Sequence, residues 1–441
     1  MTGVRHDSYP QPLTGTHKTP RPRLLFLCQT LPFPPDGGVQ IRTYNVLRLL
    51  AQVFDITALV FYRRATRPTN RDIANGLAGL RPLGEVEAFP IPQEHSTWRL
   101  LYDHMRSITN GRVYTWYAYD SAAFRHRLRK LLSDGHFAVV HVDSLDLARY
   151  LPLLGQLPVV CTHHNVESDL LKQRAAMQRS KVKRLYLRLQ ARLMEAEERR
   201  WCPKVSFNAV VSPADAARLQ RIAPSAQVRI VPNGVDTVAF QPVVDSSKTT
   251  VVFVGGHSWY PNRDAMTYFI REILPRVRLA VPACSLTWVG RVPAGFADRY
   301  SHDEVRVTGY VPDIRPFVAD AACYVVPLRI GGGTRLKILD AWAMGKAVVS
   351  TSIGCEGLDV TEGQNILIRD TPETFAEAIC SVLVDTDLRR RLGDNGRTTV
   401  EHSYAWDVVG PRMLRDYLQL VATVAPATIS THNHTLRGTF C

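Results

Sequence analysis

Short apolar runs punctuated by turn residues recur along most of the chain. The first is Arg23 to Cys28 (RLLFLC), preceded by proline-rich sequence and followed by the loop QTLPFPPDGG. A run with no polar alternation predicts a strand buried on both faces of a parallel sheet. From Val39 to Gln52 the apolar residues fall three and four apart, which predicts an amphipathic helix. The same unit repeats. Strands are predicted at Ile56 to Tyr62, Phe137 to Val142, Val159 to Thr162 and Ala209 to Val211. A second series is predicted at Thr250 to Val254, Ser285 to Val289, Val305 to Thr308, Cys323 to Pro327, Ala347 to Thr351 and Asn365 to Ile368. Helical spacing fills the gaps, as at Arg263 to Leu279, Thr334 to Met344 and Thr371 to Val384. Leu170 to Arg200 reads as one long helix.

Two such alternating blocks predict an α/β protein of two Rossmann-like, doubly wound parallel-sheet domains facing a cleft. At 441 residues the chain is too long for one ordinary core. Residues 1–22 read as a disordered tail, 23–227 as the first domain and 228–405 as the second. The turn-rich stretch Val228 to Pro242 is the passage between them. Residues 406–424 form a final helix expected to pack back on the first domain, and 425–441 a second disordered tail.

Charge divides these halves. The net +14 lies wholly in residues 1–225, with 32 Lys and Arg against 18 Asp and Glu, while residues 226–441 hold 22 of each. The first half is expected to meet something anionic. Nucleic acid is not the expected partner, because no basic motif interleaved with aromatics occurs. The eight cysteines include no CxxC pair, which disfavours a disulfide framework or zinc site and suits a reducing compartment. The expected location is the cytoplasm, since the N-terminus shows no apolar signal region and no run approaches the ~20 residues of a membrane span. The inner face of the cytoplasmic membrane is a candidate peripheral site.

One segment poses a problem of charge. In GGGTRLKILDAWAMGKAVVST, Arg335 and Lys337 fall in the first turn of a predicted helix, beside the positive pole of its dipole. An anionic ligand such as a diphosphate would complement the dipole, the amides of Gly331 to Gly333 and both cations together. Asp340 shares a face with Lys337 and Gly333, where a carboxylate could accept hydrogen bonds from ribose hydroxyls. A tight turn with solvated cations is the competing interpretation. Gly37 and Gly38 repeat the glycine-to-helix design in the first half, with Arg42 in the first turn. His163 and His164 end a predicted strand, and Asn165 and Glu167 suit the capping of the next helix. No partner with ligand spacing makes either histidine a metal site. The DxD at Asp385 to Asp387 sits between two helices, where Asp387 suits an N-cap, so no metal requirement is predicted.

These pieces resemble a known family. The stretch from Val307 to Val360, together with PPDGG, HHNVES, VVSPADAARL, VPNGVD and FVGGHSWYPNRDA in order, is similar to the family-4 glycosyltransferases of GT-B fold. The likeness extends from residue 23 to about 420 and is nearest to members that build exopolysaccharide and cell-envelope glycans. It implies retaining transfer of a sugar from a nucleotide diphosphate sugar, a substrate rather than a cofactor, to a glycan or lipid-linked acceptor. It implies that Arg335 and Lys337 hold the diphosphate and that Asp340, where the family usually has Glu, binds the ribose. Gly309, Tyr310 and Val311 would bracket the nucleobase. Gly37, Gly38, Gly256, Gly332, Gly333 and Thr334 would line the donor site, and His164 would touch the transferred sugar or leaving phosphate. The chain departs from the family at three places: Gly332 replaces a Glu, Gly256 an Arg and Asn262 a Lys. A nucleotide-sugar epimerase, or an inactive nucleotide-sugar-binding protein of the same fold, is the alternative.

The long helix carries two stripes. Val182, Leu185, Leu189 and Leu193 form an apolar one and Lys181, Arg184, Arg188 and Arg192 a basic one, with no acidic residue between Leu170 and Met194. A core-facing helix with a solvated basic side is one expectation. Docking of the basic side on an anionic membrane surface is the other.

Overall fold

The computed structural model describes residues 21–64, 69–92, 96–242, 248–293, 295–301, 304–331 and 335–424 of the chain. Arg23–Cys28 (β1), Asp55–Tyr62 (β2), Glu85–Pro90 (β3), Val139–Val142 (β4), Val159–Thr162 (β5), Phe207–Val210 (β6) and Val228–Ile230 (β7) form one parallel sheet, in the order β3-β2-β1-β4-β5-β6-β7. Thr250–Val254 (β8), Ser285–Val289 (β9), Val305–Val307 (β10), Cys323–Val326 (β11), Ala347–Ser350 (β12) and Leu367–Ile368 (β13) form the second, in the order β10-β9-β8-β11-β12-β13. Both sheets are doubly wound. Their order reverses between β1 and β4 and between β8 and β11, and ligands of such folds bind at the carboxyl ends of the strands flanking that point. The central strands β1, β4, β5, β6, β11 and β12 are almost wholly buried.

The structure differs from the sequence expectation at particular places. Strands β3 and β7 were not expected. Both are half-exposed edge strands, so they lack the continuous apolar run that marks an interior one. Part of the passage read as turns is therefore β7. Leu170 to Arg200 is not one helix. Glu167–Ala176 and Lys181–Trp201 fold back on each other, tied by Lys172 to Glu195 at 2.5 Å and by the Ser168 amide to Glu198 Oε1 at 3.1 Å. Ser180 caps the second helix by accepting from the Lys183 amide, and Arg184 donates to the Gln178 carbonyl across the break, which removes it from the free basic stripe. Nor does the apolar stripe face the core throughout. Val182 and Leu185 are exposed, and the helix instead buries Gln190, Ala191, Met194, Glu197, Glu198 and Trp201. The segment Arg263 to Leu279 is three pieces, Tyr260–Tyr268, a π-helical turn Phe269–Ile273 and Leu274–Ala280. Pro275 accounts for the interruption, since it offers no amide to the preceding turn. Asp385, not Asp387, caps Thr386–Ser403 by accepting from the Leu388 amide.

The chain crosses between the domains twice, side by side. The Val235 amide donates to Tyr404 O at 2.8 Å and the Trp406 amide to Val235 O at 3.2 Å. Gly234 lies so close to the Trp406 ring that a Cβ there would stand 2.5 Å from it. Helix Trp406–Val424 then buries Trp406, Val409, Met413 and Tyr417 in the core of the first sheet. No helix among the described residues is long and apolar enough to cross a membrane.

Arg42, the basic residue that follows the Gly37–Gly38 pair, has a structural role. Its guanidinium is buried and donates to Val231 O, Pro232 O and Asn233 Oδ1 at 2.8 to 3.1 Å, so it clamps the interdomain passage. Burial pushes its pKa down to about 10, partly offset by Asp143, and it stays charged. Replacing Arg42 by Ala leaves two buried acceptors and one half-buried one without this donor and is expected to cost about 3 kcal/mol of stability. Urea unfolding measures it.

Candidate active site

Three loops from the carboxyl ends of central strands converge. The one after β11 leads into helix Leu336–Ala343. That helix begins two residues later than the apolar spacing predicts, so Arg335 is its N-cap residue rather than part of the first turn. At this position its guanidinium turns inward. It is buried, donates to Ile353 O at 3.3 Å and fills the space beside Gly331, where a Cβ would stand 2.6 Å from Nη2. Gly331 also has φ of +140°, which excludes other residues comfortably. Burial draws the Arg335 pKa down to about 10 against the support of Glu356 and Asp215, which come from different domains.

Lys337 lies two residues further on, in the first turn of the helix. Its Nζ is 4.1 Å from the centroid of the Phe253 ring and donates to Asn262 Oδ1 at 2.7 Å. Asn262 in turn donates to Gly256 O at 3.0 Å. Asn262 thus links the Lys337 ammonium to the backbone just past β8. Among the described residues no carboxylate lies within ion-pair distance of Lys337. Burial and the neighbouring Arg335 depress its pKa well below the usual lysine value, and Asp340 offsets them only in part. Asp340, half-buried on the next turn, is pushed up to about 7 by burial, with Lys337 opposing. The site therefore holds two cations and a carboxyl, none in its ordinary electrostatic state.

Gly332, Gly333 and Thr334 lie outside the described residues. The Gly331 amide is not open to a ligand in this conformation, because it donates to Gln173 Oε1 of the first domain at 3.2 Å. Gly38 faces Leu336 across the cleft, with a Cβ position 3.5 Å from its Cδ1, while Gly37 precedes helix Gly38–Leu50 as an extended N-cap. Arg218 in the first domain pairs with Glu356 in the second and with Asp169 and Asp215. Gly256 follows β8, and a Cβ there would have ordinary contact distances. Gly309 takes φ of +73° after β10, and its carbonyl accepts from the Gly290 amide at 3.2 Å. Exposed Tyr310 lies beneath the Arg291 guanidinium at 4.8 Å, and Val311 packs against the core of the second sheet.

On the first-domain side, His164 follows β5. Its Nε2 is 3.4 Å from Asp143 Oδ2, a carboxylate just past β4. Asp143 is fully buried and accepts from Thr43 Oγ1 at 2.6 Å. Its Oδ1 is 3.5 Å from His141 Nε2, and His141 Nδ1 is 2.6 Å from Tyr417 Oη of the C-terminal helix. Burial alone would raise the Asp143 pKa; His164 and His141 outweigh it and hold the carboxyl well below the usual range. Sequence reasoning missed this acid. The available signal was VVHVD, a carboxylate directly after a buried strand. His163, by contrast, is bonded to Asn208 Oδ1 at 2.9 Å, and burial draws its pKa down to about 4. Asn165 and Glu167 do not cap the next helix, whose N-cap is Val166. Asn165 instead donates to Glu167 at 3.3 Å, and burial pushes the Glu167 carboxyl up to about 8. Among the described residues no group of three or more His, Cys, Asp or Glu could hold a metal ion.

Comparisons with known proteins follow this two-domain division. Residues 36–238 match the Glycosyltransferase Family 4 family and residues 248–385 match Glycosyl transferases group 1, together more than half of the chain. A lipopolysaccharide core biosynthesis glycosyltransferase, LpsE, of Rhizobium meliloti strain 1021 is 33% identical over 124 residues, 27% of this chain. An uncharacterized 44.6 kDa protein from the cps region of Klebsiella pneumoniae is 24% identical over 169 residues, 36% of this chain. The matches span 34% and 44% of those relatives' lengths. Among solved structures, sucrose-phosphate synthase from Thermosynechococcus elongatus superposes with a TM-score of 0.67 at 18% identity, covering 91% of this chain and 100% of its own. HepE of Anabaena in complex with UDP-glucose superposes with a TM-score of 0.61 at 14% identity, covering 92% and 100%. At such identities these likenesses speak to the fold.

Proposed function

The chain belongs to the family-4 glycosyltransferases of GT-B fold, and from that premise we propose that it moves a sugar from a nucleotide diphosphate sugar to a glycan or lipid-linked acceptor of the cell envelope, with retention at the anomeric carbon. The observation that carries this reading is the pair Arg335 and Lys337. Both are desolvated, both have depressed pKa values, and both stand at the entrance of one helix in the cleft. A diphosphate restores what burial removed from each. Retention of such strained cations is otherwise costly. HepE, solved with UDP and with UDP-glucose, and LpsE, named for lipopolysaccharide core synthesis, support the donor class and the process.

In this account negative charge grows on the departing diphosphate as the sugar becomes oxocarbenium-like. Arg335, Lys337 and the helix dipole stabilise it inside a water-poor cleft, where fixed charges act most strongly. The acceptor attacks from the face the diphosphate leaves, and a phosphate oxygen takes its proton. His164, with Asp143 behind it, hydrogen-bonds the transferred sugar or the leaving phosphate. Asp340 accepts from the ribose, and the Gly309 to Val311 segment receives the base beside Arg291.

Asp340 gives a test that separates binding from folding. A carboxyl raised to about 7 favours folding while protonated, and that contribution disappears as pH rises from about 4 through 7. Asp340→Asn is therefore expected to stabilise the ligand-free protein by about 1–2 kcal/mol at pH 8, with no gain at pH 4. The same variant is expected to bind nucleoside diphosphate at least about tenfold more weakly. Thermal melts at the two pH values and calorimetric titration read both effects. Undiminished nucleotide affinity in the variant would remove the ribose role.

A further inference from the structure

Helix Thr97–Asn110 presents a face that nothing among the described residues covers. Trp98, Leu101, Tyr102 and Met105 recur three and four residues apart, so they share one side, and all are exposed, Trp98 by 81%. The opposite side is the packed one, with Asp103 and Ser107 fully buried. This helix runs beside Lys181–Trp201 in the same direction. His104 meets Tyr186 at 2.5 Å and Gln190 donates to Ser107 at 2.8 Å. That alignment sets the first turns of the two helices level with each other, and there the second helix adds Val182 and Leu185, exposed by 79% and 71%. An apolar surface shared by two helices, and left in water, marks an interaction site rather than scattered exposure.

Its surroundings identify the partner. Residues 97–110 and 177–194 contain one carboxylate, Asp103, which is buried and held by Arg99 at 2.9 Å and by Arg106 at 3.7 Å. Lys181, Arg188 and Arg192 are exposed on the flank of the apolar face. A second copy of the chain would bring the same positive rim against itself, which disfavours self-association. An aromatic and aliphatic face with a basic rim complements the acyl boundary and headgroups of an anionic bilayer.

We propose that the paired helices Thr97–Asn110 and Lys181–Trp201 form an insertion face that seats the first domain on an anionic lipid surface. Trp98, Leu101, Tyr102, Met105, Val182 and Leu185 enter the acyl boundary, and Lys181, Arg188 and Arg192 meet the headgroups. Arg184, held on the Gln178 carbonyl, is not among the contacts.

The test is co-sedimentation of the full chain with phosphatidylcholine vesicles and with vesicles containing about one third phosphatidylglycerol. Binding is expected to the anionic vesicles only, and to weaken with salt. The triple variant Trp98→Ser, Leu101→Ser, Met105→Ser is expected to lose more than about tenfold in affinity, with an unchanged melting temperature. The variant Lys181→Gln, Arg188→Gln, Arg192→Gln is expected to lose the preference for anionic lipid. Equal binding to both vesicles, or to neither, overturns the proposal. So does wild-type affinity in the serine variant, or light scattering that shows a dimer which the serine variant dissolves.

Discussion

Lys337→Ala is expected to lower kcat by about 10²- to 10³-fold and to weaken nucleoside diphosphate binding, while leaving the ligand-free protein at least as stable as wild type. The stability half of this expectation follows from the ligand-free site. Lys337 has Asn262 and a ring face as neighbours and is held well below its usual pKa, so its removal relieves a desolvated cation. The activity half follows from the proposed reaction, in which the Lys337 ammonium meets the charge that grows on the departing diphosphate. Lys337→Arg keeps the charge but not the compact ammonium, and only partial recovery is expected. Arg335→Ala should be as damaging to turnover, but it also removes packing beside Gly331 and the bond to Ile353 O, so its melting temperature should fall. Steady-state kinetics with thermal melts distinguish the two cations. Normal turnover in folded Lys337→Ala would remove it from the mechanism.

His164→Ala is expected to reduce kcat by about 10²-fold with little change in donor affinity, because its proposed contact is with the reacting centre. The structure adds a partner to that expectation. Asp143 is buried and ionised, accepts from Thr43 and stands 3.4 Å behind His164 Nε2 and 3.5 Å from His141 Nε2, where its charge favours a protonated imidazole. Asp143→Asn should therefore lower kcat, change the pH profile of kcat and leave KM for the donor near wild type. Combined with His164→Ala it should add little, since both changes remove one function. Full additivity in kcat would mean that Asp143 acts by another route.

What could be read in the sequence was whatever a buried strand or a local helix pattern records. β1, β5 and β8 occupy the ranges their apolar runs predict, because strands buried on both faces leave no polar alternation. The edge strands β3 and β7 escaped for the converse reason. The cluster Arg335, Lys337 and Asp340 was visible because all three lie within two turns of one helix, where spacing fixes relative position. Partners from afar were invisible. Asp143 reaches His164 only when β4 and β5 pair, and Arg42 meets Val231 to Asn233 only when the second domain is tethered. Gln173 on the Gly331 amide is of the same kind, a contact across the cleft between residues that share no local pattern.

The central claim is that a nucleoside diphosphate binds at the opening of helix Leu336–Ala343. Isothermal titration of the full chain with a panel of nucleoside diphosphates tests it most directly, using wild type, Lys337→Ala and Asp340→Ala at one pH and one salt concentration. At least one member of the panel is expected to bind wild type and to lose about tenfold or more in affinity with each variant. Binding of none of them to the folded wild type, or equal affinity in all three proteins, would contradict the account.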